Sequence, residues 1–373
     1  MKCPYCQSEN TNKFFEGSMP NILSACGEET LKNVRILPIE VKLCRDCMLG
    51  FNSSRLDDDQ LKTIYDDYLY LSPIHGIGAT DFEGMIKTLE EYFAHEDEAV
   101  EIGCSDGYLL KELKNRGYKN LMGIEPGPQA DEAKALGLNV MKAYFDENTF
   151  QEKKVDGIFL SHVFEHFGDP FGILKSMKKS LNANGKIVIE VPYFTGFHHQ
   201  HLFFYNYSFF KRICDDTGLK IVKVELEKGA IRVVFVHGEN LKYKEVIFSE
   251  TKQDVINKAA TIYSDFEGNV KRISRLLSDY AGKSVCWWGA GSTSVIYLNQ
   301  LEKGLVEEAG MALVDGDDGK HGKFIPGLNL KVESYKTMRN KEIDLLIIAS
   351  TFFNEIKVTM DKEGIVARQI EII

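Results

Sequence analysis

Phe82, Met85, Ile86, Leu89, Tyr92 and Phe93 recur three and four positions apart within "DFEGMIKTLEEYF", the spacing of one helical face. The pattern then changes. Apolar runs in "EAVEIG", "LMGIEP", "VDGIFLSH" and "GKIVIEVPY" are separated by stretches of helical periodicity such as "GYLLKELKNRG" and "PFGILKSMKKSL". Strands alternating with helices predict a doubly wound α/β sheet across 76–245, and "LKIVKVELEKGAIRVVFVHG" closes it with two more strands.

Beyond this block, Val255, Ile256, Ala259, Ile262, Tyr263, Phe266, Val270, Ile273, Leu276, Leu277 and Tyr280 keep helical spacing, which predicts a long amphipathic helix. "KSVCWWGAGSTSVIYLNQLE", "GMALVDGD" and "IDLLIIAS" then repeat the strand–loop–helix rhythm, so 246–373 reads as that helix plus a second α/β domain. Residues 1–75 show neither rhythm. Three domains are expected, 1–75, 76–245 and 246–373, in a chain too long for one ordinary core.

Composition narrows the class. Hydrophobic residues at 44% and charged residues at 27% describe a soluble globular protein. A net charge of −10 argues against a general nucleic-acid or anionic-membrane binder. The apolar runs fall short of the roughly 20 residues that span a bilayer. Residues 1–20 are polar and lack the apolar core of a secretory signal, so a cytoplasmic location is expected.

Two cysteine pairs in the first block, Cys3-Pro-Tyr-Cys6 and Cys44-Arg-Asp-Cys47, stand at either end of a 37-residue insert. Two tight turns presenting two thiolates each suit a tetrahedral Zn–S₄ site, and four sulfurs leave no open position, so a structural Zn²⁺ is expected. Neither pair opens a helix after a strand, as a redox dithiol would.

"VEIGCSDGYLL" puts Gly103 and Gly107 in a turn between a strand and a helix, where backbone can approach a ligand. Glu125 ends the next strand, where an acid can take both hydroxyls of a ribose. A dinucleotide fingerprint wants G-x-G-x-x-G, but position 105 is Ser. Glu101 and Asp106 add negative charge. The pattern E-x-G-x-x-x-G with a later acid resembles the class I S-adenosylmethionine-dependent methyltransferases, whose cofactor is cationic and carries no phosphate. That resemblance implies a cofactor set of Glu101, Gly103, Ser105, Asp106, Gly107, Tyr108, Glu125, Pro126, Tyr144 and His162.

"HVFEH", residues 162–166, matches the H-x-x-E-H of inverse zinc peptidases, but Gly168 and Pro170 follow at once and do not suit the helix that motif needs. "FHHQHLFFY" gathers His198, His199 and His201. If the segment is extended, His199 and His201 share a face; if it is a helical turn, His198 and His201 do. Metal ligation by the trio lacks an evident fourth ligand.

Taken in order, the cysteine pairs, "VEIGCSDGYLL", "HVFEH", "VPYF" with "HHQHLFFY", then "GAGSTSVIYLN", "DGKHGKFIPG" and "STFFNEI" resemble the three-domain sugar C-methyltransferases. These have a zinc-binding N-terminal domain, a methyltransferase domain and a Rossmann-like C-terminal domain. Members methylate a carbon beside the ketone of a nucleotide-linked deoxysugar, with a catalytic stretch close to Y-x-E-H. The resemblance implies that His201 is the base, that His198 replaces the tyrosine and that Gln200 stands where glutamate is expected. It also matches His166 and either Tyr68 or Tyr70 to active-site residues. An unperturbed histidine titrates at about 6.5, suited to removing a proton alpha to a carbonyl.

The expected activity is S-adenosylmethionine-dependent methylation of a nucleotide-linked keto or deoxy sugar at carbon. The expected partner is that small molecule, not nucleic acid or membrane, with the chain a monomer or homodimer. Gln200 brings no charge, so O- or N-methylation is the alternative. "WWGAGSTS" with Asp315 is a weak dinucleotide fingerprint, which keeps an NAD-dependent sugar-modifying enzyme as a rival, beside a non-catalytic binding protein.

Overall fold

Valine, isoleucine and leucine fill the apolar runs, and these runs become strands. The computed structural model describes all residues except 55, 58, 61–63, 65–81, 151, 152, 303 and 351. Tyr68 and Tyr70 therefore lie outside the described residues. Among the described residues, no helix is long and apolar enough to cross a membrane. The chain divides into two compact units.

The first unit holds Met1–Phe14, Val41–Ser53 and the described part of Tyr70–Ala260. β1 (Thr11–Pro20), β2 (Ile36–Cys44) and β3 (Gly50–Asn52) come first along the chain. β4 (Glu98–Ile102), β5 (Asn120–Ile124), β6 (Val140–Met141), β7 (Val155–Ser161) and β8 (Leu181–Pro192) follow. Helices Tyr108–Asn115, Gln129–Ala135 and Pro170–Lys179 connect them. β9 (Phe203–Phe204) pairs with β3, and β10 (Leu219–Glu227) and β11 (Ala230–His237) end the series.

The main sheet has seven strands in the order β10-β11-β8-β7-β4-β5-β6. From β6 through β4 to β8 the strands are parallel. β11 runs antiparallel to both β8 and β10, because a tight turn at Lys228–Gly229 is too short for a parallel crossover. The order reverses at β4, with β5 and β6 on one side and β7 and β8 on the other. A reversal of this kind opens a crevice at the carboxyl ends of the strands.

Both faces of the sheet are covered. Ile158, Leu160, Ile187, Ile189, Val191, Val233 and Phe235 bury into one core, while Phe159, Val188, Val234 and Val236 bury into the other. This two-sided burial is why the runs read as continuous rather than alternating. The helix Glu83–Tyr92 lays Met85, Ile86 and Leu89 on the second face, as its spacing predicts.

The second unit holds Phe15–Glu40, the described part of Ser54–Leu69 and Thr261–Ile373. Its sheet is wholly parallel, in the order β14 (Val332–Ser334), β13 (Ala312–Asp315), β12 (Val285–Trp288), β15 (Ile343–Ile348), β16 (Ala367–Ile372). The stripe from Val255 forms the helix Lys252–Asp279, whose Ile273, Leu276 and Leu277 enter this unit's core beside Ala25 from the N-terminal part of the chain.

Candidate functional site

β4 ends at Ile102, directly at the reversal point, and the chain turns through Gly103, Ser105 and Gly107 with φ of 72°, 47° and 80°. A side chain at Gly103 would collide with Val163, and one at Gly107 with Leu138. Glycine is required at both. The turn is tied back to β5: Ser105 N–H donates to Glu125 Oε2 at 3.1 Å, and Gly127 N–H donates to Oε1 at 2.7 Å. Asp106 Oδ1 accepts from Tyr108 N–H at 3.2 Å, at the start of helix Tyr108–Asn115.

Glu101, Asp106 and Glu125 thus surround one loop. Burial, followed by the charges of Asp106 and Glu125, holds the Glu101 carboxyl well above its ordinary range. Glu101 Oε2 and Ser105 Oγ are buried without a hydrogen-bond partner. A cation answers such a set better than a phosphate does. Pro126 follows Glu125 at the end of β5, and Tyr144 is 83% exposed.

The second cluster follows β7. His162 has φ of 55°, and Phe164–His166 form a single 3₁₀ turn. The turn stops there because Asp169 caps the next helix, accepting from Gly172 N–H at 3.0 Å, with Pro170 in its first turn. The peptidase-like reading of "HVFEH" fails for this reason: the two histidines do not share a stable helix.

The histidine-rich segment is a turn, with His201 N–H donating to His198 O at 3.2 Å, so His198 and His201 share a face and their rings lie 3.8 Å apart. Backbone ties bring this turn onto the first: Leu202 N–H donates to Glu165 O at 2.9 Å, and His166 Nδ1 meets Gln200 O at 2.7 Å. It is the main-chain carbonyl of Gln200 that meets His166. His201 Nε2 lies 3.7 Å from Glu165 Oε1, and His162 Nδ1 lies 3.8 Å from the same oxygen.

Burial dominates the electrostatics here. It lowers His166, takes His198 down to about 3 and holds His201 well below the ordinary range, with His198 the next cause. A base titrating near neutrality, as expected from the unperturbed value, is therefore not what burial leaves. The same burial pushes Glu165 up to about 8. Sequence reasoning singled out the histidines of "HVFEH" and passed over Glu165; its signal was the motif itself, beside the carboxyl end of a central strand.

The four cysteines meet in the first unit. Cys3 and Cys47 sulfurs lie 3.6 Å apart, Cys6 and Cys44 sulfurs 3.5 Å, and all four are within 4.8 Å of one another. A zinc tetrahedron with Zn–S near 2.3 Å needs sulfurs about 3.8 Å apart. Each pair is closed by a left-handed residue, Gln7 at φ 60° and Met48 at φ 63°. In the second unit, Asp315 is taken by its own chain: Ala290 N–H and Lys320 Nζ donate to Oδ2 at 2.7 and 3.1 Å, and Asp317 N–H donates to Oδ1 at 2.8 Å.

Residues 74–224 match the model of a methyltransferase domain, and 282–371 match a model described as C2185-like, N-terminal. With the sheet order above, the first match defines a class I S-adenosylmethionine-dependent methyltransferase domain. Among curated proteins, the chain is similar to the tRNA U34 carboxymethyltransferases of Campylobacter hominis and Aliarcobacter butzleri. Identity is 28% over 110 residues for the first, covering 26% of this chain and 37% of that protein, and 30% over 110 residues for the second, covering 27% and 36%. The chain thus matches little more than a third of the length of these relatives. A solved methyltransferase from Aquifex aeolicus aligns at 18% identity over 48% of this chain and 98% of its own, with a TM-score of 0.37.

These relatives correct one expectation. The resemblance to sugar C-methyltransferases led to a small nucleotide-linked sugar as partner, and net charge to the exclusion of nucleic acid, whereas the named relatives are tRNA enzymes. A charge of −10 is a sum over the whole chain, and recognition depends on local fields.

Proposed function

We propose that the chain transfers a methyl group from S-adenosylmethionine to an acceptor that gives its proton to His201. The loop Gly103–Gly107 at the reversal point, ringed by Glu101, Asp106 and Glu125 inside the matched domain, carries this reading. When bound, S-adenosylmethionine supplies an electrophilic methyl whose carbon–sulfur bond breaks, both electrons staying on sulfur, as the acceptor's freed pair closes on carbon. Glu125, at the end of the neighbouring strand, would take ribose hydroxyls. Glu101 and Asp106 face the cationic part, and the unpartnered Glu101 Oε2 suits its ammonium group. Ser105 lies in the loop and Tyr108 opens the helix after it, while Pro126, His162 and Tyr144 belong to the set by resemblance alone.

His201, held neutral by burial, keeps a lone pair for the acceptor's proton. His166 and His198 crowd its ring and disfavour any competing cation. Methylation at carbon is the finer reading, supported by His201 standing where the sugar C-methyltransferases carry their base. Cys3, Cys6, Cys44 and Cys47 would hold a structural zinc, which their sulfur spacing fits.

Calorimetry with S-adenosylmethionine is expected to show one site per chain; absence of binding ends the reading. Methyl-labelled cofactor offered with unmodified tRNA and with a panel of nucleotide-linked keto sugars, followed by NMR, then locates the methyl group. A methyl on oxygen or nitrogen would overturn the finer reading alone.

A further inference from the structure

Gln200 precedes the proposed base and brings no charge to an imidazolium. We infer that Glu165 supplies it instead, as the positioning residue for His201: in its ionised form its carboxylate holds Nε2–H, which leaves Nδ1 as the proton acceptor. This rests on the proposed methyl transfer with His201 as base.

Three observations converge. The first is proximity, 3.7 Å from Glu165 Oε1 to His201 Nε2, with Glu165 only 1% and His201 7% exposed. The second is vacancy of partners. Both Glu165 carboxylate oxygens and His201 Nδ1 are buried without a side-chain hydrogen-bond partner, with only main chain, that of Glu165 itself and of Gly196, beside them. The third is a close backbone approach on the Nδ1 side of the ring. Gly196 lacks a side chain there; a Cβ would stand 2.9 Å from His201 Cε1 and 3.1 Å from Nδ1. The Leu202–Glu165 and His166–Gln200 ties fix the two turns against each other, so the spacing is built into the backbone.

The surrounding groups supply no competing carboxylate. His201 faces His198, His166 and His162, and Glu165 faces His162 and Glu190. Glu190 is committed to Arg232, whose Nε donates to it at 2.7 Å, and to Ser161 Oγ at 2.9 Å. Among these groups, Glu165 alone is left to answer a charge on His201. In the reaction, the acceptor's proton bonds to Nδ1 and the imidazolium pairs with the Glu165 carboxylate. The proton then passes to solvent and restores the pair.

The arrangement has a signature that needs no acceptor. Below the Glu165 midpoint of about 8, the protonated carboxyl donates to Nε2 and His201 carries its proton on Nδ1; above it, the carboxylate reverses the tautomer. NMR of protein labelled with ¹⁵N-histidine is expected to show this reversal for His201 between pH 6 and 9. Glu165→Gln should abolish it, and Glu165→Asp, which keeps the charge and controls for folding, should retain it. A His201 tautomer that ignores pH, or is unchanged in Glu165→Gln, overturns the pairing. So does loss of the His201 and His166 signals on adding one equivalent of Zn²⁺ to zinc-loaded protein. That result would make Glu165, His166 and His201, whose donor atoms lie within 4.8 Å, a second metal site. Binding of S-adenosylmethionine, measured on the same sample, reports the underlying reading separately: its failure beside an intact tautomer reversal sinks methyl transfer and not the pair.

Discussion

Glu125 accepts from two backbone N–H groups of the loops it faces, so its removal frees the turn as well as a contact to ribose. Hydrogen bonds to a charged group contribute about 1.5–3 kcal/mol, so Glu125→Ala is expected to weaken S-adenosylmethionine binding about 10- to 100-fold by calorimetry. Glu165 makes a second prediction, in stability. Its carboxyl lies at about 8 in the fold against an ordinary 4.5. Between those values the unfolded chain has lost a proton that the folded chain keeps, so stability falls as pH rises through that window. From pH 5 to 8 the wild type should lose more melting temperature than Glu165→Gln; equal losses would contradict the buried-carboxyl assignment. At this scale the sequence was partly readable. Gly103, Gly107 and Glu125 lie where a strand–turn–helix pattern puts them. The Glu165–His201 pair was not readable, because two loops far apart in the chain meet only when the sheet is built.

Elements were the most legible level. Apolar runs became β4, β5, β7 and β8 because helices cover both faces of the sheet. Histidine-turn geometry stayed open, since one residue of register decides between an extended segment and a turn; the His201–His198 hydrogen bond selects the turn. The cysteine turns behave as an element too. Cys3, Cys44 and Cys47 share a core with Ile102 and Ile189, so a closed metal there would brace the sheet's own packing. Metal analysis is expected to find one zinc per chain. Cys44→Ser or prolonged chelation should remove it and lower the melting temperature. Retention of zinc by Cys44→Ser would reject the four-sulfur site.

On the scale of the whole molecule, neither unit is a continuous piece of chain. Ala25 is 1% exposed in a core otherwise built from residues beyond 270. An unpaired charge buried there costs several kcal/mol. Ala25→Asp is therefore expected to raise hydrogen exchange in β12 and β15, read by mass spectrometry; unchanged protection in both strands would show that the N-terminal segment adds little. Sequence blocks could not reveal this, because periodicity reports which face is apolar and not which distant segment covers it. Net charge failed similarly, as a total that says nothing of where charges stand.

Ribosomal synthesis must cope with that discontinuity. The segment around Ala25 emerges first, yet the strands that cover it are made some three hundred positions later, a delay of roughly 15–60 s at about 5–20 residues per second. During that interval its greasy side chains have no native home, and a nascent-chain holdase is the natural place for them to wait.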